Sequence, residues 1–363
     1  MQLRLEPAPD MREPGDPEAI LRHRALLAQW AARTELFDPA FAPDALCRIE
    51  TVSMEKHRWR YWLPDGSRMS RRLGADAPDL LFAAGTPDVS TPTVAVVGTR
   101  RPDAYGLAFA RRIGSALARA GVIVASGGAL GIDGAAHLAA LEAGGRTIVV
   151  LGGGLGKPHP PSHSALFDRI AATPGCCVLS EAPCLGPARP FCFPARNRLL
   201  AALADAVVVV QAGVPSGALI TAGRAKGLGV PVFAVPADAW YERSAGTIAL
   251  LRAGARVFAS PADLASVPDL AGIESAPWPR AGGRMTSLPT PWDPELAAMS
   301  VTPSPDVDAT LAAISAGARG VDDIVAIAHL HAGRVQAALL SLEIAGLVRI
   351  LPGGFVVSLR EPA

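Results

Sequence analysis

Residues 122–155 read VIVASGGALGIDGAAHLAALEAGGRTIVVLGGGL, and this stretch decides the fold. Two apolar runs rich in β-branched residues, Val122–Ala125 and Thr147–Leu151, each end in small residues and glycine, and a helical segment over 132–144 separates them. A strand without polar alternation is buried on both faces, and a helix joining two such strands makes a parallel crossover. The pattern continues in both directions. Upstream, Val94–Val97 precedes a helical segment over 104–120; downstream, Val178–Leu179, Ala206–Val210 and Val232–Val235 alternate with helical segments near 162–173, 194–204, 217–228 and 247–253. This predicts an α/β fold, a Rossmann-like, doubly wound, mainly parallel sheet with helices on both faces.

The flanks read differently. Asp16 and Pro17 predict a helix start, with the helix running to about Glu35, and a second helix is expected over 42–50. Trp59–Tyr61–Leu63 and Met69 lie on either side of Pro64–Asp65–Gly66, which predicts a hairpin. Residues 1–72 therefore read as a small N-terminal helical cap, and 73–260 as the Rossmann-like domain. Residues 261–305 hold nine prolines and read as a linker. In 306–363, helices near 308–316, 322–328 and 332–345 precede strands Leu347–Ile350 and Phe355–Leu359, joined by a Pro352–Gly353–Gly354 turn. Three helices closed by a hairpin predict a winged helix.

Half of the 363 residues are hydrophobic and 18% are charged, which excludes a disordered chain. No apolar run approaches the ~18 residues of a membrane span. No basic-then-apolar pattern opens the sequence, so a cytoplasmic protein without a membrane partner is expected. Five cysteines without CxxC spacing predict reduced thiols. The net charge of +1 conceals an asymmetry: 1–92 carry −2, 93–260 carry +8 and 261–363 carry −5. A basic middle fits a phosphate-bearing partner, or simply a composition in which 31 of the 34 cations are arginine.

The glycines narrow the choice. Gly98-Thr99-Arg100, Ser126-Gly127-Gly128, Gly152-Gly153-Gly154 and Ser216-Gly217 all fall where strands end and helices begin. In a parallel sheet those positions share the carboxyl edge, where backbone N–H groups and helix N-termini receive anions. Phe191 and Phe193 stand beside Arg196-Asn197-Arg198. Guanidiniums for phosphates beside a ring for bases make a single-strand binding pair; the alternative is Phe193 in the core with its arginines in water.

Neither the dinucleotide fingerprint nor the P-loop is present. Asp133 and His137 share a helix face near Ser126, but no G-x-S-x-G elbow surrounds a serine. Pro160 and Pro161 separate His159 from His163, and His329-x-His331 sits at a helix end. No catalytic set, metal site or cofactor is predicted.

Several ordered motifs carry a resemblance: VAVVGTR…YG (94–106), SGGALGIDGAAHLAALEAGGRTIVVLGGGL (126–155), SEAP (180–183), FPARNRLLAAL (193–203), SGALITAGRAKGLGVPVFAVP (216–236) and LLSLEIAGLVRILPGGF (339–355). In these the chain resembles the bacterial DNA-processing protein A family (DprA, also called Smf). It differs in having Leu130 where that family has arginine, Gln211 where glutamate is usual, and Ala237 where glycine is usual. The resemblance implies a non-enzymatic single-stranded DNA-binding protein that protects DNA taken up in natural transformation and loads the RecA recombinase. It also implies a homodimer formed through the Rossmann domain. Carried onto this sequence, Gly98, Thr99, Arg100, Ser126, Gly127, Gly128, Arg196, Asn197, Arg198, Ser216 and Gly217 are the expected phosphate contacts, and Phe193 the stacking ring. Two other readings stay open: a Rossmann-like nucleotide phosphoribohydrolase, and a winged-helix transcription regulator, which the −5 charge of the last segment disfavours.

Overall fold

Alternation along the central strands explains the layering. Val94 and Val96 face one helical layer while Ala95 and Val97 face the other, and all four are buried. Each valine so enclosed adds roughly 1.5–3 kcal/mol to stability. The computed structural model describes residues 10–33, 43–87, 90–238, 241–273, 278, 305–318, 320–344, 348–350 and 356–358. The chain divides into two units, Met1–Arg280 and Ala281–Ala363.

In the first unit the strands are β1 (Asp10–Arg12), β2 (Arg60–Leu63), β3 (Leu81–Gly85), β4 (Thr93–Val97), β5 (Ile123–Ser126), β6 (Thr147–Leu151), β7 (Cys177–Ser180), β8 (Ala206–Val209), β9 (Val232–Ala234) and β10 (Arg256–Val257). Its helices are α1 (Pro17–Arg33), α2 (Pro43–His57), α3 (Arg68–Leu73), α4 (Ala104–Arg119), α5 (Ile132–Glu142), α6 (Ser164–Ala172), α7 (Cys192–Leu203), α8 (Gly217–Gly227) and α9 (Ala245–Arg252). The ten strands form one sheet in the order β1-β2-β3-β7-β6-β5-β4-β8-β9-β10. From β7 to β10 every pairing is parallel, and β3, β2 and β1 extend the sheet antiparallel. The chain winds outward from β4 to β7, then crosses back to β8 on the other side of β4. Helices α4 and α5 therefore cover one face, and α7 and α8 the other. The reversal beside β4 is the switch point at which open α/β sheets gather ligands.

Two expectations are corrected. Pro64–Gly66 does turn the chain, but it leads into a helix: the Ser67 hydroxyl accepts the Ser70 amide at 3.1 Å and caps α3, which contains Met69. Strand β2 therefore pairs with β1 and β3 instead of closing a hairpin on Met69. Residues 261–273, in the stretch read as linker, make two 3-10 turns and bury Leu264, Val267, Leu270 and Ile273 in the cluster that holds Phe233 and Phe258. The remaining linker positions other than 278 and 305, and the Pro352–Gly354 turn, lie outside the described residues.

The segment before residue 93 is tied to the sheet by two buried carboxylates. Glu50 of α2 accepts the Cys184 and Leu185 amides at 2.8 Å each, and His23 Nε2 donates to it at 2.9 Å. Asp205 accepts the Thr93 amide at 2.9 Å and pairs with Arg68 and Arg72 of α3. Among the described residues no helix is long and apolar enough to cross a membrane, and all five cysteines are free and buried.

The second unit holds helices Pro305–Ser315, Val321–Ala328 and Ala332–Ile344 and an antiparallel strand pair, Val348–Ile350 with Val356–Ser358. Val307, Ile314, Ile324, Val335, Leu339, Leu342, Val348 and Val356 form its core. This is the winged-helix arrangement expected from the sequence.

Replacing Asp205 would take the shared carboxylate from Arg68 and Arg72 and leave the Thr93 amide without its acceptor. Asp205→Ala should cost about 3–5 kcal/mol, as breaking a buried ion pair does, measured as a drop in the denaturant midpoint at unchanged slope.

Candidate nucleic-acid interface

The carboxyl edge is organised by one buried arginine. Arg196 projects from α7, and its Nη1 donates to Gly127 O at 2.7 Å and to Val150 O, joining the ends of β5 and β6. Its Nε donates to Asn197 Oδ1 at 3.1 Å. Only 8% of the residue is exposed. Burial pushes its pKa down to about 10, and the nearby Arg100 charge acts in the same direction, while Asp133 opposes both. Asp133 is buried in the first turn of α5, and its own pKa is raised by that burial against the pull of Arg196. Its Oδ2 accepts the Gly127 amide at 3.1 Å and the Ala129 amide at 3.3 Å. A Cβ at residue 127 would lie 2.6 Å from both Arg196 Nη atoms, so any side chain there would displace the guanidinium. Gly128 has φ +69°, with Phe167 and Val149 against the place of a Cβ.

This arrangement changes what the Ser126-Gly127-Gly128 loop can do. Ser126 is fully buried, and its hydroxyl donates to Val96 O at 2.6 Å. The Gly127 amide is taken by Asp133. Expected from their type to hold phosphate, Ser126 and Gly127 instead lie beneath the surface with their polar groups committed internally. The trio Ser126, Asp133 and His137 is likewise no hydrolytic set. The Thr147 hydroxyl donates to Val124 O and so accepts from His137 Nδ1, at 2.6 Å. Burial first, then the charges of His163 and Arg196, hold the His137 pKa down to about 3.

The upper face of the rim comes from other loops. Thr99 N donates to Gln211 O at 2.7 Å, fixing the β4 loop to the β8 loop. Gly98 is pressed against Ile132 and the Gln211 carbonyl. Arg100 is exposed, with its guanidinium carbon 5.4 Å from the Phe193 ring centroid. Phe193 is half-buried above Gly152 and meets His159 edge-on at 5.7 Å. The FPARNR stretch (193–198) lies within α7 itself, so Arg196 and Arg198 diverge as an i, i+2 pair must. Arg198 pairs with both oxygens of Glu181, at 2.9 and 2.6 Å. Asn197 Nδ2 donates to Gly217 O at 3.3 Å and so fixes the start of α8, where Ser216 caps the helix by accepting the Ala218 amide. Gly217 is exposed with open space around it.

The departures from the family pattern also find places. Leu130 is exposed at the loop before α5. Gln211 donates to Asp103 Oδ2 at 2.8 Å and accepts the Asp103 amide at 3.1 Å. A glutamate there would face a carboxylate.

Sequence reasoning missed four further cations. Arg101, Lys157, Arg189 and Arg243 are all exposed, and each lies in a loop that follows a parallel strand: β4, β6, β7 and β9. The sheet topology puts them on the edge that carries Arg100. Their positions after strand ends could have marked them, but they stand outside any glycine motif.

The Arg196–Asp133 couple should behave as one unit. Arg196→Ala should destabilise the chain by about 1–3 kcal/mol, because it leaves the Gly127 and Val150 carbonyls without their buried donor. Adding Asp133→Asn should cost less than the two single losses summed, a coupling that a double-mutant cycle in urea would measure.

Residues 64–268 match the sequence model of the DNA recombination-mediator protein A family, and residues 294–354 that of the DprA winged helix domain. A putative DNA processing protein DprA of Mycobacterium tuberculosis is 39% identical over 295 residues, which are 79% of this chain and 71% of that protein. Protein Smf of a Synechocystis species is 39% identical over 276 residues, 72% of this chain and 69% of its own length. Among solved structures, DprA of Streptococcus pneumoniae superimposes with a TM-score of 0.54 at 31% identity, covering 70% of this chain and 94% of that one. With its matching fold, its motifs at the sheet edge and relatives along most of its length, this chain belongs to the DNA recombination-mediator protein A family.

Proposed function

We propose that this protein binds single-stranded DNA along the carboxyl edge of its parallel sheet, as a binder and not an enzyme. One observation carries the reading: five exposed cations (Arg100, Arg101, Lys157, Arg189 and Arg243) share the edge on which Phe193 stands half-buried with Arg100 over its ring. A cationic track beside an aromatic face holds the backbone of a single strand and stacks its bases without choosing among them. In this reading Arg100, Arg198, Ser216, Gly217 and the Gly98–Thr99 turn meet phosphates, and Phe193 meets a base. Arg196, Asn197 and the Ser126–Gly128 loop hold those groups in place from below.

The wider role follows the family. The protein protects DNA entering during transformation and delivers it to RecA, working in the cytoplasm as a homodimer formed through the Rossmann-like part, residues 73–260. The −5 charge of residues 261–363 suits a protein contact better than a duplex. The internal hydrogen bonds of Ser126 and His137 weigh against phosphoribohydrolase chemistry at this edge.

Phe193→Ala should weaken oligo-dT binding by roughly 5- to 150-fold, since stacking a base on a ring is worth ~1–3 kcal/mol. The thermal midpoint should stay near that of the unaltered protein. A stable variant with unaltered affinity would remove Phe193 from the site, and nucleoside monophosphate turnover in the same preparations would favour the enzyme instead.

Glu181 competes with phosphate for Arg198. Glu181→Gln should therefore tighten oligo-dT binding and steepen its salt dependence by up to about 0.7 in log–log slope, the counterion release of one single-strand phosphate. A salt titration in which neither affinity nor slope changes would show that Arg198 touches no phosphate.

A further inference from the structure

A cavity of about 330 Å³ opens on the same sheet edge, lined by Asp103 and Tyr105 at the start of α4, Gln211 after β8, and Pro236, Asp238, Tyr241 and Ser244 beyond β9. Its volume is at the lower end of small-molecule sites, ~300–1,000 Å³. Its chemistry differs from that of the rim. Asp103 and Asp238 line it and, among the described residues, no lysine or arginine does, so a phosphate group is disfavoured there. Tyr105, 48% exposed, and Tyr241 supply aromatic walls. Asp103 is held in place by Gln211 and by the Gly106 amide, which donates to its Oδ1 at 2.7 Å. Ser244 also lines the cavity; its hydroxyl is buried and has no hydrogen-bond partner among the described residues. A buried hydroxyl left in that state calls for a ligand or an ordered water.

We infer that this cavity receives a nucleobase carrying an exocyclic amine. Two tyrosines suit a flat ring, two carboxylates suit N–H donors, and the Ser244 hydroxyl can donate to a ring nitrogen or accept from the amine. Arg243 is exposed, with its guanidinium carbon 5.8 Å from the Tyr241 ring centroid, and supplies a cation for a phosphate attached to such a base. The loops at 98–103 and 211–217 border both this cavity and the cationic rim, so a base of a strand bound on the rim is the natural occupant. The inference rests on the single-strand reading for that source; a free nucleoside presents the same chemistry.

Cytosine and thymine make the clean comparison, because an amine on one stands where the other has a carbonyl. The full chain should bind oligo-dC about tenfold more tightly than oligo-dT at one salt concentration, one net hydrogen bond's difference. Ser244→Ala and Asp238→Asn should each erase that preference and leave oligo-dT affinity unchanged. Ser244→Ala should melt at or above the unaltered protein, since it removes an unpartnered buried hydroxyl. Saturation-transfer NMR with deoxycytidine and thymidine tests the cavity without a strand. Transfer to deoxycytidine alone, lost in Ser244→Ala, would assign a free nucleoside even if oligo-dT failed to bind and the single-strand reading fell. A preference confined to oligonucleotides would assign the base of a bound strand. Equal affinities with no nucleoside transfer, or a preference that survives both substitutions, would overturn the inference.

Discussion

A guanidinium buried at the end of a parallel sheet is costly unless every face of it is met. Arg196 meets that cost with two carbonyls, a neighbouring amide oxygen and the charge of Asp133. The arrangement matters beyond its own energy. Arg196 gathers two carbonyls at the sheet edge, that of Gly127 just after β5 and that of Val150 near the end of β6. Asp133 performs the complementary task, accepting amides from the loop whose carbonyl Arg196 holds. The two charges thus fix one loop from opposite sides. Phe193, three residues earlier on the same helix, inherits a defined position above Gly152 from that anchoring.

The charge of the middle segment is only partly available to a ligand. Arg111 is paired with Glu142, Arg196 is set against Asp133 and Arg198 is held by Glu181. The exposed cations that stand on the carboxyl edge come from four separate loops. A track assembled from loops after β4, β6, β7 and β9 runs across the strand ends rather than along one helix. It therefore matches an extended phosphate chain better than a single compact anion.

Much of the sheet was legible because its strands carry no polar alternation: burial on both faces leaves valine-rich runs such as Ala206–Val210 with one stable outcome. Legibility failed at β1 and β3. Asp10–Arg12 is a short edge strand with charged residues, and Leu81–Gly85 lacks a following helix to mark it as a crossover. The Pro64–Gly66 turn signal was real, yet a serine cap one residue later committed the chain to helix, which periodicity alone does not reveal. At the site, glycine positions marked the carboxyl edge, on which the exposed cations also stand. Residue type could not say that Ser126 and Arg196 sit beneath it, because exposure at a strand end depends on which acid the next helix presents. Here that acid is Asp133, which the sequence pattern marks only as a residue of the first helical turn.

The pair Gln211 and Asp103 explains how a cationic rim and an acidic cavity can share two loops. Asp103 caps α4 through its Oδ1 and takes the Gln211 amide through its Oδ2, so its charge is held by neutral donors. The Gln211 carbonyl meanwhile fixes Thr99, next to Arg100, on the rim side. A glutamate at 211 would place two carboxylates in contact and force a shared proton or a separation of the loops. Glutamine avoids that repulsion while keeping the same reach, and the loop junction can then separate two surfaces of opposite character a few residues apart.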